Sequence, residues 1–402
     1  MIFIEQELPS PQDTVVVGMS GGVDSTLTAL LLQQRGCRVI GATMSLWDGS
    51  LQLPTSNNAE KSSSKPRESC FAPGEQDSIN ECADFCAEHG IEYHVVDVKE
   101  AYKREVLEYF KAEYRAGRTP NPCVRCNRFI KFGALLEGIR ASGIDFDFFC
   151  TGHYAKVVRP EEGIFGTQSR PFMISKASDA LKDQTYFLYR LPSDILRKTR
   201  FPLASLKKSD VFTLARQSGI KAASRAESQD FISAEYFDLL FADKPSQAGD
   251  IIDLDGRVLG RHRGIEHYTI GQRRGLGVSV NYPVYVHSID AERNVVVLAP
   301  ESALFSTEII AGDFVWAGGI EPQTPIEADV KIRLASPSEK ALIERCDSPF
   351  AESAPSSASS SCRSSAWKIT FKSPQRAAAP GQSAVLYQDN TIIGGGIISK
   401  TI

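Results

Sequence analysis

With 402 residues, 42% of them apolar, the chain can bury a sizeable core, and about two or three domains are expected. A formal net charge of −4 excludes a uniformly basic surface but not a basic patch on one face. There is no run of about 18 apolar residues and no basic N-terminal segment leading into an apolar one, which points away from membrane spans and secretion and towards the cytoplasm. The nine cysteines are odd in number and unevenly spaced, so they read as core residues, metal ligands or reactive thiols rather than a disulfide framework.

From Thr14 to about His153 apolar strands alternate with amphipathic helices. The strand "TVVVGM" precedes a helix over 24–35 closed by Gly36, and "CRVIGATM" precedes a helix near 78–89 closed by Gly90. The strand "IEYHVVDV", a long helix near 100–116 and the strand "FDFFCTGH" follow. Strands alternating with glycine-terminated helices predict a doubly wound α/β domain, its parallel sheet covered on both faces. Residues 49–69 are too polar and too rich in Ser, Asn and Pro to pack, and read as a mobile insertion over the carboxyl edge of the sheet or as a plain surface loop.

This first domain is expected to span 1–204. A helix beginning at "SLKKSDVFTLARQSGI" opens a central domain over 205–304, where short strands are separated by Gly- and Asp-rich turns. Residues 305–402 continue as short strands, "ADVKIRLA", "AWKITF" and "SAVLYQDNTIIGGGII", and predict a C-terminal β-barrel with a Ser-rich loop at 351–366.

The first strand and helix are joined by "GMSGGVDS", residues 18–25. Its glycines permit backbone angles closed to other residues, so that successive N–H groups converge at a helix N-terminus whose dipole favours an anion. No Gly-Lys-Ser/Thr follows and the GxGxxG spacing is absent, which excludes a Walker loop and a dinucleotide fingerprint. A nest of amides with Ser20 and Ser25 suits a departing pyrophosphate, with Asp24 orienting Mg²⁺ or capping the helix. The plainer alternative is a glycine-rich turn with Asp24 only as a cap. The full string Ser20-Gly21-Gly22-Val23-Asp24-Ser25 resembles the signature of the PP-loop (N-type) ATP pyrophosphatases, which implies adenylation of a carbonyl or carboxylate oxygen and release of pyrophosphate.

Residues 119–133, "TPNPCVRCNRFIKFG", place Cys123 and Cys126 as a CxxC beside Arg125, Arg128 and Lys131. Thiolates are expected to be favoured there, making the pair reactive or metal-binding; a structural zinc half-site or an incidental pair are the plainer alternatives. With "TGHYAKV", "LKDQTYFLYRL", "AESQDF", "YTIGQRRGLGV" and "PGQSAVLY", the chain resembles the tRNA-specific 2-thiouridylases over nearly its full length. These replace the 2-oxygen of a wobble uridine in tRNA by sulfur. The resemblance implies that Gly18, Met19, Ser20, Gly21, Gly22, Val23, Asp24, Ser25, Met44 and Gly152 hold ATP with Mg²⁺. It implies that Asn121, Pro122 and Cys123 lie against the base, that Cys126 is the catalytic cysteine, and that His153, Lys182, Asp183, Gln184, Arg333 and Gln382 contact tRNA.

The chain departs from this pattern after "ESQ", where many members carry a second sulfur-relaying cysteine and Phe231, Ile232 and Ser233 stand here. Cys123 stands where such members often have Asp. Sulfur-transferring relatives hold a [4Fe–4S] cluster on a CxxC with one remote cysteine, and that resemblance implies a cluster on Cys70, Cys123 and Cys126, with a persulfide on Cys126 as the rival carrier and a donor protein or free sulfide as the source. Cys82 and Cys86, four apart on a helix with Ile79 and Ala83, read as core. Two other activities compete: an amidating synthetase of the same ATPase superfamily, for which no glutaminase nucleophile is seen, and an ATP-sensing RNA-binding protein, which leaves the CxxC without a task.

Overall fold

The structure, a computed structural model, describes residues 1–49, 70–71, 74–224, 231–232, 234–346 and 365–402. Apart from Gly49, Ser365 and Ala366, the expected insertion at 49–69 and the Ser-rich loop at 351–366 lie outside the described residues. The chain divides into two compact units, one of Met1–Val106 with Cys123–Ala242 and one of Leu107–Pro122 with Asp243–Ile402. Among the described residues no helix is long and apolar enough to cross a membrane.

The first unit opens with β1 (Phe3–Glu5), β2 (Thr14–Gly18), α1 (Val23–Gln34), β3 (Arg38–Ser45), α2 (Glu75–Glu88) and β4 (Glu92–Asp97). It continues through β5 (Phe148–Thr151), β6 (Ala155–Pro160), β7 (Met173–Lys176) and β8 (Thr199–Arg200). Five of these strands form a parallel sheet in the order β4-β3-β2-β5-β8, as the alternation predicts. Val15, Val16 and Val17 are fully buried because both faces of β2 are covered. Side-chain alternation shows the two faces directly. A Cβ on Gly41 of β3 would meet Met19 and Cys86, whereas Gly138, on the helix Leu135–Ala141, lies against Val96 of β4, which points to the opposite face. Cys82 and Cys86 are buried with Cys37 and Cys150 in one apolar cluster, so the core reading of the first pair holds.

Two differences from expectation bear on the site. The helix expected near 100–116 is broken: Lys99–Tyr102 is followed by a π-helical turn over Lys103–Leu107 and then by Glu108–Arg115 in the second unit. The helix Lys208–Gln217, expected to open the central domain, packs in the first unit, where Val211 and Ala215 join Val23, Leu27 and Leu30 of α1. Its apolar stripe needs a partner, and α1 supplies one.

In the second unit β9 (Gly249–Ile252), β10 (Val258–His262), β11 (Tyr285–Asp290) and β12 (Val295–Ala299) form a sheet in the order β10-β9-β12-β11. Next come β13 (Phe305–Trp316), β14 (Ile326–Lys331), β15 (Glu339–Cys346), β16 (Ala366–Arg376), β17 (Ser383–Gln388) and β18 (Thr391–Thr401). They form the expected barrel, six antiparallel strands closed by the pairing of β18 with β13. The β17–β18 hairpin turns at Asp389 and Asn390, both with positive φ (50° and 72°), the conformation a two-residue hairpin demands and these residue types tolerate.

Candidate active site

β2 lies between β3 and β5, and the chain leaves it in both directions across the sheet. The loop after β2 therefore opens at the switch point of an open α/β sheet, where ligands bind outside the carboxyl ends of the strands. Met19 extends the strand, donating its N–H to Ala42 O (2.8 Å) and accepting from Thr43 Oγ1 (3.0 Å). Gly21 then takes φ +68° and the chain enters α1 through Gly22, with no side-chain hydrogen bond capping the helix. Ser25 Oγ donates to Gly22 O (3.1 Å) and accepts from Ser20 N (3.2 Å), locking the loop around its own hydroxyl. The loop thus stands at the positive end of the α1 dipole, where the first helical amides have no intrahelical acceptor.

Gly152 follows β5 and closes on this loop so tightly that a Cβ there would lie 2.7 Å from Asp24 C and 2.9 Å from Ser25 N. Met44, half-buried near the end of β3, stands two residues beyond Ala42, the partner of Gly18. Gly18–Ser25, Met44 and Gly152 are thus gathered at one edge of one sheet.

Asp24 has a partner the sequence did not announce. Lys208 Nζ lies 2.7 Å from both carboxylate oxygens, and Tyr154 Oη donates to Oδ1 at 2.9 Å. The ammonium sits over the rings of Phe212 (4.8 Å) and Tyr154 (5.7 Å). Both oxygens of the carboxylate expected to orient Mg²⁺ are therefore engaged by protein groups. No spacing relates position 208 to the loop, and "SLKKSD" reads only as a helix start, so sequence reasoning had no signal for this lysine.

His153 joins the loop to the thiols. Its Nδ1 lies 2.6 Å from Thr151 Oγ1 and its Nε2 3.4 Å from Lys131 Nζ, an arrangement in which a neutral ring donates at Nδ1 and accepts at Nε2. Burial first, and the Lys131 charge second, hold its pKa well below the usual histidine value. Beside it, Gln184 Oε1 accepts from Tyr154 N (2.9 Å), while Asp183 Oδ1 accepts from Thr185 N (3.1 Å) and Thr185 Oγ1 (2.8 Å). Lys182, Asp183 and Gln184 thus form a half-buried turn next to His153.

Cys123 and Cys126 occupy the helical turn Pro122–Arg125 and the start of a π-helical segment, Cys126–Ala134. Such irregular helices recur at functional sites. The expected stabilisation of thiolates is not found. Burial pushes Cys123 up to about 12, with Cys70 and Cys126 adding to the rise, and it pushes Cys126 up to about 11 against the opposing charge of Lys131. Of the expected cations only Lys131 acts on the thiols. Arg125 is spent on Glu105, donating from Nη2 to Oε2 (2.9 Å) and from Nε to the backbone oxygen (2.6 Å), and Arg128 lies 5.4 Å from the Phe129 ring.

Cys70 is exposed, yet it is close enough to affect Cys123, Cys126 and Tyr102, so the three thiols share one neighbourhood around that buried ring. Phe71 stacks on Tyr102 at 5.4 Å, and Phe231 lies 6.5 Å from the same ring. Among the described residues no three His, Cys, Asp or Glu side chains are disposed as metal ligands.

The other candidates belong to the second unit. Gln382 Nε2 donates to Thr119 O (3.0 Å), Thr119 N donates to Pro380 O (2.8 Å), and Gly381, at φ +91°, has Thr119 backbone where a Cβ would stand. "PGQ" thereby shapes the backbone that leads into Asn121 and Pro122. Arg333 Nη2 donates to Ile270 O (2.9 Å) and Ala377 O (2.6 Å), tying three segments of that unit together.

Family models match the chain throughout: a tRNA methyl transferase HUP domain over residues 13–233, a tRNA methyl transferase PRC-barrel domain over 238–300, and an aminomethyltransferase beta-barrel domain over 306–398. Curated relatives are of matching length. A tRNA-specific 2-thiouridylase MnmA of Endomicrobium trichonymphae is 39% identical over 389 residues, covering 96% of this chain and 98% of the relative. Relatives of the same name from Desulforamulus reducens and Roseiflexus castenholzii are 38% and 36% identical, covering 97% and 96% of this chain and 98% and 99% of their own. With family models covering the nucleotide-loop domain, the central sheet and the barrel, and relatives this similar over nearly their full length, the chain belongs to the MnmA family of tRNA-specific 2-thiouridylases.

Proposed function

We propose that this protein is a cytoplasmic tRNA sulfurtransferase that uses ATP to convert the wobble uridine of tRNA to 2-thiouridine. One observation carries the mechanism: the Ser20–Ser25 loop at the N-terminus of α1 and the Cys123–Cys126 pair lie in one unit, with Gly152 against the loop, His153 next to it in sequence, and Lys131 between His153 and the thiols. The uridine 2-oxygen attacks the α-phosphate, pyrophosphate leaves into the loop, and the adenylated C2 then accepts sulfur as AMP departs. Mg²⁺, carried in on the phosphates, would add to the stabilisation of that leaving group. Neutral His153 cannot compete as a second cation near the loop, and Lys131 supplies the positive charge that favours an anionic sulfur on Cys126. Asn121 and Pro122 are proposed to lie against the base, and Lys182, Arg333 and Gln382 to act at or behind the tRNA surface.

The sulfur carrier we assign is a persulfide on Cys126, loaded from a persulfide donor: its outer sulfur attacks the adenylated C2 as AMP leaves, Cys123 Sγ then attacks Cys126 Sγ to free the 2-thiouridine, and the resulting Cys123–Cys126 disulfide is reduced by an external thiol. The [4Fe–4S] alternative finds three soft side chains in one neighbourhood but no ligand set among the described residues, and no step is routed through it. The test uses unmodified tRNA transcript, radiolabelled ATP and a persulfide donor. AMP formation that depends on tRNA, with 2-thiouridine detected by mass spectrometry, supports the assignment; Cys126→Ala should retain AMP formation and lose thiolation. ATP turnover without 2-thiouridine would leave the amidating or RNA-sensing alternatives, and loss of activity in an iron-free preparation would return the carrier to a cluster.

A further inference from the structure

Lys208 is an anomaly for folding. Its side chain is 9% exposed, and its ammonium stands at the N-terminal turn of α1, the positive end of a helix dipole worth about half a unit charge. A cation buried at that end costs stability unless an anion is present. Asp24 supplies one negative charge, which the ammonium it holds balances; the α1 dipole adds further positive potential at the same place.

The lysine is also held with little freedom. Its backbone N–H donates to Asp179 Oδ2 (2.9 Å), its ammonium lies over the Tyr154 and Phe212 rings, and Asp24 grips Nζ from both oxygens. Such preorganisation suits a group whose task is to meet charge developing at a fixed point.

We propose that Lys208 is the cationic ligand of the pyrophosphate end of ATP, and that Asp24 acts by positioning it. This assignment rests on the adenylation chemistry above: pyrophosphate gains charge as it leaves, and Lys208 with the loop amides takes up that charge. Lys208 thereby fills the role of the lysine missing from the loop itself, delivered from a helix more than 180 residues away in sequence.

Isothermal titration of the full chain with inorganic pyrophosphate, ATP and AMP, all in EDTA, tests the assignment without turnover. Lys208→Met should weaken pyrophosphate and ATP by about tenfold or more, with AMP, which lacks the β- and γ-phosphates, unchanged and serving as the check on folding. Lys208→Arg should restore part of the loss. Because Lys208→Met strands a carboxylate, the double variant Asp24→Asn/Lys208→Met removes the pair together and should show the same selective loss. Wild-type pyrophosphate affinity in either folded variant overturns the assignment. Release of ADP instead of AMP by the wild-type protein with tRNA would overturn the adenylation chemistry itself, and is read in a separate assay.

Discussion

Gly152→Ala isolates the approach of β5 to the nucleotide loop. A methyl group there would lie 2.7 Å from Asp24 C, 2.8 Å from Asp24 Cβ and 2.9 Å from Ser25 N. Carbon contacts are comfortable at about 3.5–4.0 Å, so the two backbones must separate by roughly 1 Å. No flexible side chain can yield instead, because the first and third of these atoms are main chain. Overpacking of this kind costs about 1–3 kcal/mol, and in a unit of this size about 2 kcal/mol lowers the melting temperature by roughly 4–8 °C. A displacement of about 1 Å at a reacting group also costs on the order of 100-fold in rate. Gly41→Ala is the comparison: its Cβ would also be close, 2.8 Å from the Met19 sulfur, 3.0 Å from Cys86 Sγ and 3.2 Å from Tyr93 Cδ2, but all three are side-chain atoms and none is main chain. Near-ultraviolet circular dichroism melts and tRNA-dependent AMP release measure the two effects. If Gly152→Ala melts with the wild type and forms AMP at its rate, the tight approach has no bearing on catalysis.

Three further outcomes are expected. The depressed pKa of His153 means that the unfolded chain binds a proton below about pH 6.5 before the folded chain does, so stability falls as the pH drops through that value; His153→Gln should flatten this acid limb in urea titrations, and an unchanged limb would assign the loss elsewhere. Because Lys131 opposes the rise of both thiols, Lys131→Met should slow iodoacetamide labelling of Cys126 at pH 8.5, read by peptide mass spectrometry, and faster labelling would refute its role. In the second unit Arg118 Nε donates to Glu113 Oε2 (2.8 Å), whose side chain is 3% exposed. Arg118→Met strands that carboxylate and should cost about 3 kcal/mol; Glu113→Gln added to it should recover most of the loss, and a single variant as stable as the wild type would show that solvent reaches the pair.

Patterns that act over a few residues could be read along the chain. The unbroken valines of β2 marked a strand covered on both faces, Gly21 and Gly22 marked a turn lined by amides, and the spacing of Cys82 and Cys86 marked one buried helix face, because strand and helix periodicity bind side-chain direction to local sequence. The alternating strands of the C-terminal region announced a barrel in the same way. Charge and desolvation could not be read so, since they depend on what folds against a residue from far away. Arg125 and Arg128 stand beside the CxxC in sequence, yet Glu105 and the Phe129 ring engage them, and burial raises both thiols instead of lowering them. Lys208 is remote from the loop in sequence and within 2.7 Å of Asp24 in space because α1 covers the apolar stripe of its helix. Which cation faces the phosphates, and which thiols share a neighbourhood, were decided only when tertiary packing brought those helices together.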